Sequence, residues 1–278
     1  MVEAGELSEA VLAVEIQDQI ARVLLPDPAR EAVDAGYNLH WELGRVMSDL
    51  RGDDGVRVVI LTGAGDHFLV VRPPESYRSE DGRRSRTEPG YIWRTFTGIV
   101  RMHEAIAQLE KPVIARVNGD AIGFGSSLVF ACDLIVARED ARIVDTHMGM
   151  GEVAEVGPAE FGLVPGDGGT ALVPLFMSPA LAKEYLMLSR PFEASELARL
   201  GIINYAVPAD ELDTTVDGLA ARLLARSAYA LAWTKRAANR AVAAQLATAL
   251  DAGIGYEMAN FMQWERMNWG DTKRLGGD

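Results

Sequence analysis

The stretch Lys111-Pro-Val-Ile-Ala-Arg-Val-Asn-Gly-Asp-Ala-Ile-Gly-Phe-Gly-Ser-Ser-Leu-Val-Phe-Ala-Cys-Asp-Leu-Ile-Val-Ala137 reads as strand, glycine-rich turn, short helix and strand. Lys111-Pro112 opens an apolar run, Val113 to Val117, and Leu134 to Ala137 is a second; short β-branched runs of this kind suit buried strands. Between them, Gly123-Phe-Gly-Ser-Ser127 places backbone N–H groups at a helix N-terminus, where negative charge is favoured. A developing oxyanion held there is stabilised with little reorganisation, so the turn is a candidate oxyanion hole. The same glycines would equally serve a tight turn for close packing.

Working outward, the apolar runs Val11 to Ile16 and Ile20 to Leu25 flank Gln17-Asp18-Gln19, and predict a hairpin ended by Pro26-Asp27-Pro28. Leu39, Leu43, Val46, Met47 and Leu50 recur at helical steps and predict an amphipathic helix stopped near Gly52. Val56 to Leu61 follows as a buried strand, and residues 91–110 as a helix. From about Pro179 onward the pattern is almost wholly helical. The expected organisation is therefore α/β over residues 1–200 and a helical region over 201–278, with no flexible linker between them.

Two further groups carry candidate chemistry. Val164-Pro-Gly-Asp-Gly-Gly-Thr170 is a second glycine turn before a helix, in which Asp167 is either a functional carboxylate or an N-cap. Upstream of it lies Asp145-Thr-His147, and a histidine beside carboxylates suits general acid or base work near neutral pH. A lone histidine also serves structural purposes.

Composition bounds the partners. The formal charge of −13 argues against nucleic acid, whose backbone is bound by clustered Lys and Arg. The one basic concentration, Arg78, Arg83, Arg84 and Arg86, lies in a proline-rich loop spanning 72–90. Cys132 is the single cysteine, so no intramolecular disulfide or cysteine metal centre is expected. The first ten residues carry three acids and no base, unlike a secretory leader, and no apolar run approaches the roughly 18 residues of a membrane span. These features lead to the expectation of a soluble cytoplasmic protein with no membrane partner and no metal.

Four motifs in order, Arg57-Val-Val-Ile-Leu-Thr-Gly-Ala-Gly-Asp-His-Phe68, Lys111 to Gly119, Ala131 to Ala137 and Pro165 to Thr170, resemble the enoyl-CoA hydratase/isomerase (crotonase) superfamily over roughly residues 12–265. The resemblance implies a spiral of ββα units, with a helical C-terminal region that builds trimers, often paired into hexamers. It implies an acyl-CoA substrate, with coenzyme A as part of the substrate and no resident cofactor. An enolate would be held by two backbone N–H groups, which fall on Arg72 and Phe124; Pro73, next door, has no N–H to donate. Val70, Gly123 and Ser127 would line the substrate, and Arg78 and Arg84 would meet CoA phosphates or, as plain loop residues, only solvent.

The departures from the family pattern bear on the reaction. Ser127 stands where hydratases carry a glutamate, Val70-Val-Arg-Pro73 replaces a smaller loop motif, and the second usual glutamate is absent. Asp145-Thr-His147 resembles a subgroup with Asp-x-His at this point, although residues 149–161 are extra. That segment holds Glu152, Glu155 and Glu160, of which Glu160 is the first candidate to replace the missing carboxylate; all three also suit solvated loop positions. Three functions follow. The leading one is hydration of a 2-enoyl-CoA with His147 as acid and base, backed by Asp145 or Asp167. The second is retro-Claisen cleavage of a small β-diketone by His147 and Asp167, as in the superfamily's diketone hydrolases, where the added segment leaves the relation of the two residues open. The third is a catalytically degenerate binding or assembly protein.

Overall fold

The computed structural model describes residues 12–26, 37–70, 89–148 and 162–266. The expected hairpin is β1 (Ala13–Gln17) and β2 (Ile20–Leu25), joined by Asp18 and Gln19 at positive φ, the conformation that matches the twist of a two-residue hairpin. Next comes α1 (Tyr37–Gly52), which buries Leu39, Leu43, Val46, Met47 and Leu50 as their spacing requires.

The chain then repeats one pattern. β3 (Val58–Gly63) and β4 (Leu69–Val70) lead to α2 (Pro89–Gln108). β5 (Val113–Val117) and β6 (Ala121–Ile122) lead to α3 (Phe124–Ala131). β7 (Leu134–Arg138) and β8 (Arg142–Val144) lead to α4 (Gly169–Phe176). In each unit the first strand joins a six-stranded sheet ordered β1-β2-β3-β5-β7-β10, and the second joins a four-stranded sheet ordered β4-β6-β8-β9. Within the repeat all pairings are parallel, so each unit advances one strand along both sheets, which is a spiral of ββα units. The two-residue strands of the second sheet are too short for any periodicity to reveal.

After α4 come α5 (Pro179–Leu188), β9 (Phe192–Glu193), α6 (Ala194–Arg199) and β10 (Tyr205–Val207), the last strand of the large sheet. The helical region contains α7 (Leu212–Leu224), α8 (Ala228–Ala238), α9 (Arg240–Gln245), a π-helical turn (Leu246–Leu250) and α10 (Asp251–Arg266). In the π turn the Thr248 hydroxyl, a single donor, is shared between the carbonyls of Ala244 at 2.9 Å and Gln245 at 3.2 Å where the helical ladder shifts. One core lies between the sheets and helices α1 to α5. A second is smaller and forms where Leu212, Val216 and Ala220 of α7 cover Val58, Ile60, Ile114 and Val136 on the other face of the large sheet.

The helical region is tied to the core by a buried ion pair. Lys235 Nζ lies 2.6 Å from Asp133 Oδ2 and also donates to the Lys111 carbonyl at 3.0 Å, while Asp133 accepts from Val113 N at 2.7 Å. Burial pushes the Asp133 carboxyl up, against the pull of Lys235. Removing one member of such a pair leaves an uncompensated charge. Lys235→Met is expected to cost about 3 kcal/mol of unfolding free energy, read from urea denaturation, and Lys235→Arg markedly less.

Candidate functional site

The site forms where β8, the turn before α4, and α10 converge. Asp145 follows β8 directly and is fully buried. Its Oδ1 accepts from the His147 backbone N–H at 3.0 Å and from His147 Nδ1 at 2.7 Å, so that the loop leaving the strand folds around its own carboxylate. A carboxylate acceptor fixes the hydrogen on Nδ1 and leaves Nε2 to face the rest of the site.

Asp167 lies opposite, with Oδ2 3.6 Å from His147 Nε2 and Oδ1 accepting from the Ser127 hydroxyl at 2.9 Å. It is not a cap: the N-cap of α4 is Gly168, and no side-chain hydrogen bond caps that helix. The added segment does not separate the pair. Leu163 N donates to the His147 carbonyl at 2.7 Å, so the chain returns beside His147 before entering the turn.

The third carboxylate comes from the C-terminal helix. Glu257 of α10 is 6% exposed, and its Oε1 lies 3.9 Å from His147 Nε2. Burial first, then the negative charges of Asp167 and Asp145, push its carboxyl up to about 8 against the opposing influence of His147. His147 itself is held well above the usual histidine value. Burial, the largest single influence, lowers it, but Asp145, Asp167 and Glu257 together outweigh that. At neutral pH the cluster therefore holds an imidazolium and a neutral carboxyl among its acids.

A fifth ionisable group backs the turn. His103 of α2 is buried, with Nδ1 2.9 Å from the Ile99 carbonyl and Nε2 against Gly168, without a hydrogen-bond partner among the described residues. Burial lowers it, so it stays neutral at pH 7. Neither Glu257 nor His103 emerges from motif reading. Each nevertheless leaves a trace, as a polar residue on an apolar stripe: Glu257 with Leu250 and Ile254, and His103 with Ile99, Met102 and Ile106.

At the glycine turn, Gly123 adopts φ 63°, and its N–H donates to the Val144 carbonyl at 2.9 Å. The Ser126 hydroxyl returns to the Gly123 carbonyl at 2.9 Å, and no side chain caps the start of α3, where Phe124 supplies the first helical N–H. The Phe124 ring packs on His40 of α1, with centroids 3.9 Å apart. Val70, Ile122 and Val144 form a small apolar cluster on the second sheet. Arg72, Arg78, Arg84 and Glu160, with Glu152 and Glu155, lie outside the described residues. The carboxylate that the described structure brings to His147 in addition to Asp145 and Asp167 is Glu257.

Asp145, His147 and Asp167 offer atoms within 4.8 Å of one another, a spacing that admits a cation. The Nδ1–Oδ1 hydrogen bond already engages Asp145 with the imidazole, which suits proton handling better than joint ligation.

A model of the enoyl-CoA hydratase/isomerase family matches residues 15–267. The chain belongs to this family. Among its relatives, it is 30% identical to the crotonyl-CoA hydratase of Syntrophomonas wolfei, over 71% of this chain and 70% of that one. It is 32% identical to the carnitinyl-CoA dehydratase of Escherichia coli K12, over 78% and 75%. The fold matches the crystal structure of an enoyl-CoA hydratase/isomerase from Mycobacterium paratuberculosis with a TM-score of 0.77, 26% identity and coverage of 91% and 94%. A β-diketone hydrolase from Anabaena shares the fold, with a TM-score of 0.77 at 21% identity over 92% and 96%. These matches establish the α/β spiral with its helical C-terminal region. Among the described residues, no helix is long and apolar enough to cross a membrane.

A raised carboxyl binds a proton in the folded state that the unfolded chain has already released. Its stabilising share is thus complete below about 4.5 and is lost as pH rises through about 8. Over pH 5 to 8, wild-type protein should lose stability relative to Glu257→Gln by on the order of 1 kcal/mol per pH unit, read from urea unfolding at each pH.

Proposed function

We propose that this chain catalyses the reversible addition of water to a 2-enoyl-CoA, with His147 and Asp167 performing the proton transfers that glutamates perform elsewhere in the family. The observation that carries this reading is the 3.6 Å approach of His147 Nε2 to Asp167 Oδ2, with each group held from behind, by Asp145 and by Ser127.

In the hydration direction Asp167 takes a proton from water as its oxygen bonds to Cβ. The charge that moves onto the thioester oxygen is met by the Phe124 N–H at the start of α3, with the Arg72 N–H as the second donor. The His147 imidazolium gives its Nε2 proton to Cα and quenches the enolate. Asp167, now protonated, and neutral His147 then face each other, and one proton passed between them restores the starting state. Glu257, neutral at the working pH, keeps a third negative charge out of the cluster. The names of the crotonyl-CoA hydratase and carnitinyl-CoA dehydratase relatives support water addition or removal on an acyl-CoA. This reading keeps assembly through the helical C-terminal region into trimers or hexamers as an expectation.

A second reading is retro-Claisen hydrolysis of a small β-diketone, favoured by the buried Asp145–His147 pair, which orients an imidazole to activate water toward a carbonyl. A panel of enoyl-CoAs, hydroxyacyl-CoAs and cyclic diketones separates the two. Turnover of a short enoyl-CoA, with kcat lowered roughly 100-fold or more in His147→Ala and in Asp167→Asn, is expected. Cleavage of a diketone with no inhibition by free CoA would favour the second reading, and activity indifferent to both substitutions would refute both.

A further inference from the structure

Two turns that are distant in sequence meet through one hydroxyl. Ser127 lies in the first turn of α3 and is 1% exposed, and its hydroxyl donates to Asp167 Oδ1 at 2.9 Å. The other oxygen of the same carboxylate, Oδ2, is the one facing His147 Nε2 at 3.6 Å. The terminal torsion of an aspartate is broad, so an unrestrained carboxylate would not hold one oxygen toward the imidazole. The neighbouring Ser126 hydroxyl is spent within its own turn on the Gly123 carbonyl. Ser127 is therefore the residue that reaches across.

We propose that Ser127 is a positioning residue: its hydroxyl fixes the orientation of Asp167 and holds Oδ2 toward His147 Nε2. Such a hydrogen bond restrains its acceptor more firmly where little water competes. The ionisable groups that surround Asp167 are His147 and Asp145 after β8, Glu257 on α10, His103 on α2 and Tyr185 on α5. Of these, His147 is the group that Asp167 Oδ2 faces, and the Ser127 hydroxyl holds the opposite oxygen in place. It also spans a fixed distance. Phe124 opens the same helical turn, so this bond sets the separation between the N–H offered to an oxyanion and the carboxylate offered to water. The Ser127 side chain, expected to line the substrate, donates to Asp167.

The effect on turnover rests on the hydration reading; the effect on Asp167 does not, and two measurements keep them apart. Crystal structures of Ser127→Ala and Ser127→Gly should show the Asp167 carboxylate turned so that Oδ2 no longer faces His147 Nε2. Ser127→Thr, which keeps the hydroxyl, should restore the wild-type orientation. Circular dichroism and thermal melting confirm that the variants are folded. In Ser127→Ala and Ser127→Gly, kcat for the enoyl-CoA turned over by wild type should fall about tenfold with KM changed less than about twofold, and Ser127→Thr should recover most of the loss. An Asp167 carboxylate that still faces His147 in folded Ser127→Ala and Ser127→Gly overturns the proposal. If wild-type protein turns over no thioester, the hydration reading fails and the orientation of Asp167 in the variants still decides the role of Ser127.

Discussion

The turn Pro165-Gly-Asp-Gly-Gly169 is the constraint on which the site depends, because it offers almost no side chain where five ionisable groups must meet. A methyl group at position 166 would overlap Glu257 Oε2, one at 168 would overlap His103 Nε2, and one at 169 would overlap Asp145 Oδ2. Each glycine makes room for a group from a different element: α10, α2 and the loop after β8. Gly168 also takes φ 126°, a conformation that a side chain would strain. Asp167, the one side chain between them, is left enclosed by partners on every side. Close packing without Cβ atoms is thus what converts three separated elements into one centre.

That arrangement surrounds His147 with carboxyl groups although Ser127 carries none. Residues 149–161 lie between His147 and the second turn in sequence. The helical region supplies Glu257, and the contacts that tie this region to the core include the Lys235–Asp133 pair and the approach of Gly253 and Glu257 to Gly166. The C-terminal helices therefore do more than cover the core. They complete the site, so a change in their docking would alter its protonation as well as its shape.

Much of the fold was legible because its signals are local and periodic. The hairpin, α1, the buried strands β3, β5 and β7 and the two glycine turns all follow from alternation, helical spacing or backbone-permissive residues. The second sheet was not, since its strands β4, β6 and β9 are two residues long and are held by pairing with distant partners rather than by pattern. For the site, Asp145, His147 and Asp167 could be read from composition and order, and the structure brings them together despite the intervening segment. Glu257 could not be placed, because it lies 90 residues after Asp167 on a helix whose other inward residues are apolar. A charged residue on such a stripe is a visible anomaly, but only the tertiary fold shows what it faces. The charge of −13 acquires a local meaning as well: three of the acids behind it are buried around one histidine, where burial and the neighbouring charges push the Glu257 carboxyl up to about 8.

The proposed function requires His147, within this carboxylate cluster, to make and quench an enolate. Exchange of the Cα protons of butyryl-CoA in D2O, followed by NMR, tests it without requiring knowledge of the natural acyl group, because exchange needs only enolate formation and return of a proton. Wild-type protein is expected to exchange these protons, and His147→Ala, folded to the same degree, is not. Exchange at the wild-type rate in His147→Ala, or none in wild type at saturating butyryl-CoA, would contradict it.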